Sequence, residues 1–196
     1  DRTCAPTPTC LARFRVGTHT WGNVKASDKR EIRDCLIVMQ GERCAYCESP
    51  VTERGHQIEH FRRKRQGHFP HLTFDWSNLL LCCDQSDCCG HFKDRPGASY
   101  DPNDLIDPTN EEPDDFFWFH ETGGIDVRGD CDLQQAHRAA QTLKILNLNG
   151  HHGLRQMRAR QLKMYKDPNL DVFGELATWP AALRREYIQG ELTATA

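Results

Sequence analysis

Long hydrophobic runs are missing from this 196-residue chain; "LLLCC" at 79–83, with five residues, is as long as any. A membrane-crossing helix needs about 20 consecutive apolar residues, so no span is expected. Apolar residues make up 38% of the chain and aromatics 9%, enough for a modest core only. No charged-then-apolar leader is seen at the start, and a cytoplasmic chain is the expectation. Internal repeats and low-complexity tracts are also lacking. Excess positive charge is missing too: the formal charge is -3, which counts against holding nucleic acid by bulk electrostatics alone. Between 101 and 121 there is no Lys or Arg at all, while Asp101, Asp104, Asp107, Glu111, Glu112, Asp114, Asp115 and Glu121 crowd the segment. That block reads as a solvated, turn-rich surface, with docking of a basic partner as the lesser alternative. Positive charge is concentrated elsewhere, in Arg62, Arg63, Lys64 and Arg65, and again in Arg155, Arg158, Arg160, Lys163 and Lys166.

Cysteine, by contrast, is plentiful, with ten in the chain. An even count suggests disulfides in a secreted protein, and metal or free thiols in a cytoplasmic one. Spacing favours metal. Cys44 and Cys47 form a CxxC, and Cys82, Cys83, Cys88 and Cys89 form a denser cluster downstream. Thiolates at i and i+3 on a tight turn converge on one ion, so two such pairs describe a tetrahedral zinc site. The second pair is doubled, and spacing alone leaves open which of its four thiols bind. Cys35 reads as core on an apolar helix face; Cys4, Cys10 and Cys131 have no evident role.

Three regions follow from the patterning. Residues 1–41 read as an extended arm and a helix, with Ser27 as N-cap, an apolar face of Ile32, Cys35, Leu36 and Met39, and Gly41 as stop. Residues 42–95 hold the cysteine, histidine and basic clusters, with strand-like pieces at 57–61 and 79–81 and a short helix from about Gly90. Residues 96–196 begin as acidic loop, then show two short strands around a "TGG" turn in "DDFFWFHETGGIDVR". Helices are expected over 136–146 and 154–165, and a last one from Pro180 to Gln189. The class is α+β, mainly helical.

The segment "HQIEHF", 56–61, runs directly into the four cations. Cutting a phosphodiester requires a base for the attacking water, and a neutral imidazole serves. It also requires charge neutralisation at the phosphoryl group, which a hard divalent ion held by carboxylate and imidazole provides. Glu59 and His60 are adjacent, so an extended backbone turns them to opposite faces, one toward metal and one toward phosphate. His91, carried on the short helix, is a plausible second ligand.

Together, "CAYC", "IEHF", "WSNLLLCC" and "CCGHFK" resemble the HNH endonucleases. That resemblance implies two strands and a helix clamped around a metal, a ββα-metal nuclease core over 42–95 with helical flanks. It implies His60 as general base, Glu59 as first metal ligand, and His91 as last ligand of a catalytic Mg2+ or Mn2+. Asn78 is similar to the family's middle Asn, which orients the catalytic loop. Cys44, Cys47, Cys83 and Cys89, with Cys88 as the alternative to Cys89, match structural zinc positions. In many members the last ligand directly follows a cysteine and precedes Lys by three; here His91 follows "CCG" and precedes Lys93 by two. Beyond the core, "LIDPTNEEPDDFFWF", "TGGIDVR" and "AQTLKILNLN" resemble the PtuB subunits of Septu-type antiphage systems, retron-linked ones included, over roughly residues 30–165. Such subunits work with a PtuA ATPase, and the retron-linked assemblies add a reverse transcriptase and its nucleic acid. The resemblance therefore implies nucleic acid and an ATPase as partners.

Blander readings stand beside these. Arg62 to Arg65 form either a solvated turn or phosphate contacts, the latter favoured directly after a catalytic His. Lys93 either meets phosphate or caps its helix. His56 reads as a surface His, and Trp76 and Phe74 as packing. A zinc-ribbon binding module without catalysis would use the same cysteines and cations; what it would not need is a buried acid beside an imidazole. A disulfide-stapled secreted domain is the other rival.

Overall fold

A computed structural model of the protein describes residues 5–165 apart from Gln66. Cys4, Lys166 and the helix expected from Pro180 lie outside the described residues. The chain divides into two compact units, Asp1–Pro102 and Asn103–Ala196.

In the first unit, α1 (Ala26–Gln40) starts two residues earlier than the sequence suggested, with Lys25 rather than Ser27 at the N-cap position; the Asp28 carboxylate accepts from the Lys25 amide at 3.2 Å. Ile32 and Leu36, four apart, are fully buried, whereas Cys35 is only half-buried. Gly41 ends the helix in the left-handed conformation at φ +62°. The arm does not trail away from it. The Cys10 amide donates to Glu31, and Arg13 pairs with Asp28, so the arm packs in the same unit as the central cluster.

After a short turn of helix, α2 (Val51–Arg54), β1 (His56–His60) pairs antiparallel with β2 (Leu79–Cys83), placing His60 opposite Leu79 and Glu59 opposite Leu80. Every residue of β2 is buried, as its unbroken apolar run requires. Two strands alone would leave the outer edge of β2 unpaired. Here the Gln40 amide does the pairing: it accepts from Leu81 N at 2.8 Å and donates to Leu81 O at 2.9 Å, while Ala45 N also donates to that carbonyl. The helix α3 (Cys89–Lys93) packs on β2.

The second unit contains the expected hairpin, β3 (Phe117–Phe119) with β4 (Ile125–Val127), and two helices, α4 (Leu133–Ile145) and α5 (His152–Tyr165). Asp132 caps α4 and Gln135 answers it, a reciprocal capping box. Gly123 is required at the hairpin tip, since a Cβ there would stand 1.9 Å from the Arg155 carbonyl oxygen. The acidic block is partly engaged rather than simply solvated: Glu111 pairs with Arg138, Asp104 with His137, and Asp107 closes its own turn onto Thr109.

Candidate functional site

Four cysteines from three places meet in the first unit. Cys44 and Cys47 come from the turn after α1, Cys83 ends β2, and Cys89 opens α3. All are buried, and their sulfurs lie within 4.8 Å of one another. A tetrahedral thiolate site with bonds of about 2.3 Å has sulfur–sulfur edges of roughly 3.8 Å; Cys47 and Cys83 are 4.0 Å apart. The donor set is all sulfur and suits a soft or borderline cation. Hydrogen bonds from Cys44 and then Cys47 drive the Cys83 thiol far below its ordinary range, and Cys44 also lowers Cys47. Burial first, and hydrogen bonds to the other cysteines, push Cys44 up, and hydrogen bonds within the cluster push Cys89 up, so thiolate character favours Cys83 and Cys47 while the other two remain thiols in the absence of a cation.

The doubled cysteines separate by backbone conformation. Cys89 sits at φ +56°, in the left-handed region that side chains rarely adopt, and this turn carries its sulfur into the cluster. Cys88 accepts from Arg54 Nη2 at 3.7 Å, and its thiol is pushed up to about 12, chiefly by Cys83. Cys82 accepts from the Gly90 amide at 3.4 Å.

His60, at the end of β1, is only 2% exposed. Its Nε2 lies 3.1 Å from the Thr73 carbonyl oxygen, its Nδ1 lies 3.2 Å from Lys64 Nζ, and the Trp21 indole stands edge-on at 4.5 Å. A carbonyl only accepts, so Nε2 carries the proton and Nδ1 keeps the lone pair. Burial, followed by the Lys64 charge, holds the imidazole pKa down to about 3. The His60 ring is therefore uncharged at ordinary pH.

Asn78, just before β2, is buried and closes the intervening loop. Its Oδ1 accepts from Arg62 N at 2.7 Å, and its Nδ2 donates to the Arg62 and Leu72 carbonyls at 3.0 and 3.1 Å. Three bonds from one amide fix the segment that supplies both Thr73 and Lys64 to His60.

Glu59 and His91 engage different partners. Glu59 is buried, with Oε1 2.8 Å from Lys93 Nζ and 3.3 Å from the Tyr46 hydroxyl. His91 is 44% exposed in its side chain and pairs with Asp84 at 2.7 Å. Neither falls in a group of three or more metal-capable donors among the described residues. As arranged, the two do not form a ready hard-cation site. Gly90, which does directly follow a cysteine and precede Lys93 by three, offers no side chain; a Cβ there would stand 2.5 Å from Glu59 Oε2. Glu59 fills that space.

Of the cations expected to meet phosphate, two are turned inward. Lys93 is 0% exposed and spends its three protons on Glu59, Asp94 and the His60 carbonyl. Burial works against its charge, but the Glu59 and Asp94 carboxylates outweigh it and the pKa rises. Arg63 is buried on Asp94, the Ala98 carbonyl and the Lys93 carbonyl, over the Tyr100 ring. Burying such groups is tolerable only because each is paired. Arg62 lies over Phe69 at 5.3 Å, Arg65 is exposed, and Lys64 is half-buried beside His60. His56 is exposed at the start of β1. Sequence reasoning missed Trp21, Thr73, Tyr46, Asp94 and Tyr100; of these, only Asp94, next to Lys93, carried a signal, as a carboxylate adjoining a cation. The described cysteines are all free thiols, without disulfides.

No protein-family model matches the chain. Over 140 residues, 69% of its length, the chain is 31% identical to the provisionally named HNH endonuclease of retron Vc95 from Vibrio cholerae serotype O1 biovar El Tor. Over 99 residues, 50% of its length, it is 30% identical to Septu protein PtuB of Bacillus thuringiensis. These matches span 65% and 34% of those relatives, less than two thirds of either. No helix among the described residues is long and apolar enough to cross a membrane.

Proposed function

We propose that this chain, which resembles an HNH endonuclease of a retron and the PtuB protein of a Septu system, is an HNH endonuclease that hydrolyses phosphodiester bonds of nucleic acid, DNA or an RNA such as tRNA. The observation that carries the reading is the hydrogen bonding of His60: the Thr73 carbonyl accepts from Nε2–H, which leaves the Nδ1 lone pair to serve as the base. In the proposed step, Nδ1 takes a proton from water, and the water oxygen bonds to phosphorus. The P–O3′ bond breaks, its electron pair stays on the leaving oxygen, and solvent protonates that oxygen. Asn78 holds the loop that positions Thr73 and Lys64. Cys44, Cys47, Cys83 and Cys89 hold a structural Zn2+, and with β1, β2 and α3 they make up the ββα core. A catalytic Mg2+ or Mn2+ belongs to the reading as an assay variable. Glu59 is available to it only where Lys93 gives way, so no step is assigned to it.

In the antiphage setting of the relatives, the chain would act as the nuclease effector beside a PtuA-like ATPase, with a reverse transcriptase and its nucleic acid in a retron assembly. The chain's net charge of -3 supports this division of labour, since affinity for the substrate need not come from this chain alone. The sealed Glu59–Lys93 pair favours one rival, a non-catalytic zinc-ribbon binding module. Incubation with nucleic acid and Mg2+ or Mn2+, with and without the ATPase, separates the two. His60→Ala is expected to abolish cutting while leaving zinc content at wild-type level. Cutting by His60→Ala at the wild-type rate would sink the reading, and loss of zinc in that variant would make His60 structural.

A further inference from the structure

We infer that Lys64 is the residue that receives the scissile phosphate, and that until an anion arrives its ammonium covers the basic nitrogen of His60. This rests on the nuclease reading and deepens it. The sequence offers five cations as phosphate contacts, Arg62, Arg63, Lys64, Arg65 and Lys93, and the structure separates them by what already neutralises them. Lys93 is saturated by two carboxylates and a carbonyl, and Arg63 by one carboxylate and two carbonyls. Arg62 lies over an aromatic ring and Arg65 stands in solvent. Lys64 differs from all of these.

The Lys64 side chain is half-buried, its Nζ 3.2 Å from His60 Nδ1 and 5.7 Å from the Trp21 ring centre. Among the described residues no carboxylate forms an ion pair with it. An ammonium has three protons to donate, and here its hydrogen-bond partner is an uncharged ring nitrogen. Lys64 feels Glu59 and Asp94 only at a distance, since both carboxylates are already paired with Lys93; a cation withdrawn from water without a direct ion pair is a costly arrangement, and a phosphodiester oxygen relieves it. The same movement has a second effect. While Lys64 donates to Nδ1, that lone pair cannot accept a proton from water; once the ammonium turns to phosphate, the lone pair is free beside the bound group. Base exposure is thereby coupled to the arrival of substrate. The indole of Trp21 and the loop tied by Asn78 limit where the lysine can go, so the anion is received next to the base.

The test uses the full chain with 15N-labelled histidine, reading the His60 ring nitrogens by NMR without added divalent ion. The probes are a mixed-sequence oligonucleotide and, separately, inorganic phosphate. In the wild type the Nδ1 resonance is expected to move with either probe. In Lys64→Gln it is expected to start displaced and stay unresponsive, while Lys64→Arg keeps the response. Lys64→Met, which preserves the apolar stem, replaces the Gln variant should that one not fold. Cutting is expected to fall about 10²-fold in the neutral variants, the scale of losing one transition-state donor, with partial recovery in Lys64→Arg. A wild-type ring that ignores both probes, or a neutral variant whose ring responds like the wild type, overturns the proposal. A Lys64-dependent ring response without cutting by any form would instead uphold the anion site and remove the nuclease reading. Cutting by the wild type and Lys64→Gln at equal rates would remove Lys64 and leave the nuclease reading standing.

Discussion

His60 makes its environment measurable through acid stability. Its folded pKa is depressed to about 3, against an ordinary value of 6.5. Between those values the unfolded chain binds a proton that the folded chain refuses, so stability is lost as pH falls from about 6.5 toward 3. The slope is about 1.4 kcal/mol per pH unit from this group. Glu59 works the other way, since burial raises its pKa and its proton favours the folded form. The difference between wild type and His60→Gln isolates the imidazole: denaturant melts from pH 7 to 4 are expected to show a shallower decline for the variant. A parallel decline would mean His60 is not buried as a neutral ring. Gly90 offers a second test at this scale. A methyl group there meets the Glu59 carboxylate at 2.5 Å, so Gly90→Ala is expected to cost about 1–3 kcal/mol through overpacking. Measured stability within about 0.5 kcal/mol of wild type would show that Glu59 has room to move.

At the level of elements, Lys93 links α3 to β1. Replacing it with Met leaves the Glu59 carboxylate buried without its cation, and the expected loss is about 3–5 kcal/mol in a denaturant melt. Mn2+ then becomes diagnostic: recovery of stability in Lys93→Met, but not in Lys93→Met combined with Glu59→Gln, would make Glu59 a metal ligand. Absence of recovery would make it purely structural. Much of this neighbourhood was legible in sequence. Both strands were legible as short strand-like pieces in "HQIEHF" and "LLLCC", and the CxxC marked half of the cysteine cluster. The choice of Cys89 over Cys88 was not legible, because it turns on one left-handed backbone angle that no local pattern announces. Nor could the inward turn of Arg63 be read, since a run of cations looks the same whether its partners lie in solvent or, as here, 31 and 35 residues downstream at Asp94 and Ala98.

For the whole molecule, the cysteine cluster ties the turn after α1 to β2 and α3. A metal bound there would contribute folding energy directly, because the unfolded chain has no formed site. The expected content is one zinc per chain by mass spectrometry of the purified protein. Chelation, or Cys83→Ser, is expected to lower the midpoint of thermal unfolding by more than 10 °C, on the order of several kcal/mol. Full stability after complete metal loss would show that the thiols only pack. The boundaries between regions were harder to read than their contents. Sequence suggested breaks at 41 and 95, whereas the chain divides after Pro102. The arm is tied to α1 by Cys10–Glu31 and Arg13–Asp28 bonds, formed across 21 and 15 residues by side chains that look ordinary in isolation.

The Gln40 amide has one more effect, on assembly. By occupying both main-chain groups of Leu81 it mimics an adjoining strand, and the flank of the sheet it covers cannot template another polypeptide. Ribbon-to-ribbon growth is thereby blocked at Leu81 on that side of the sheet.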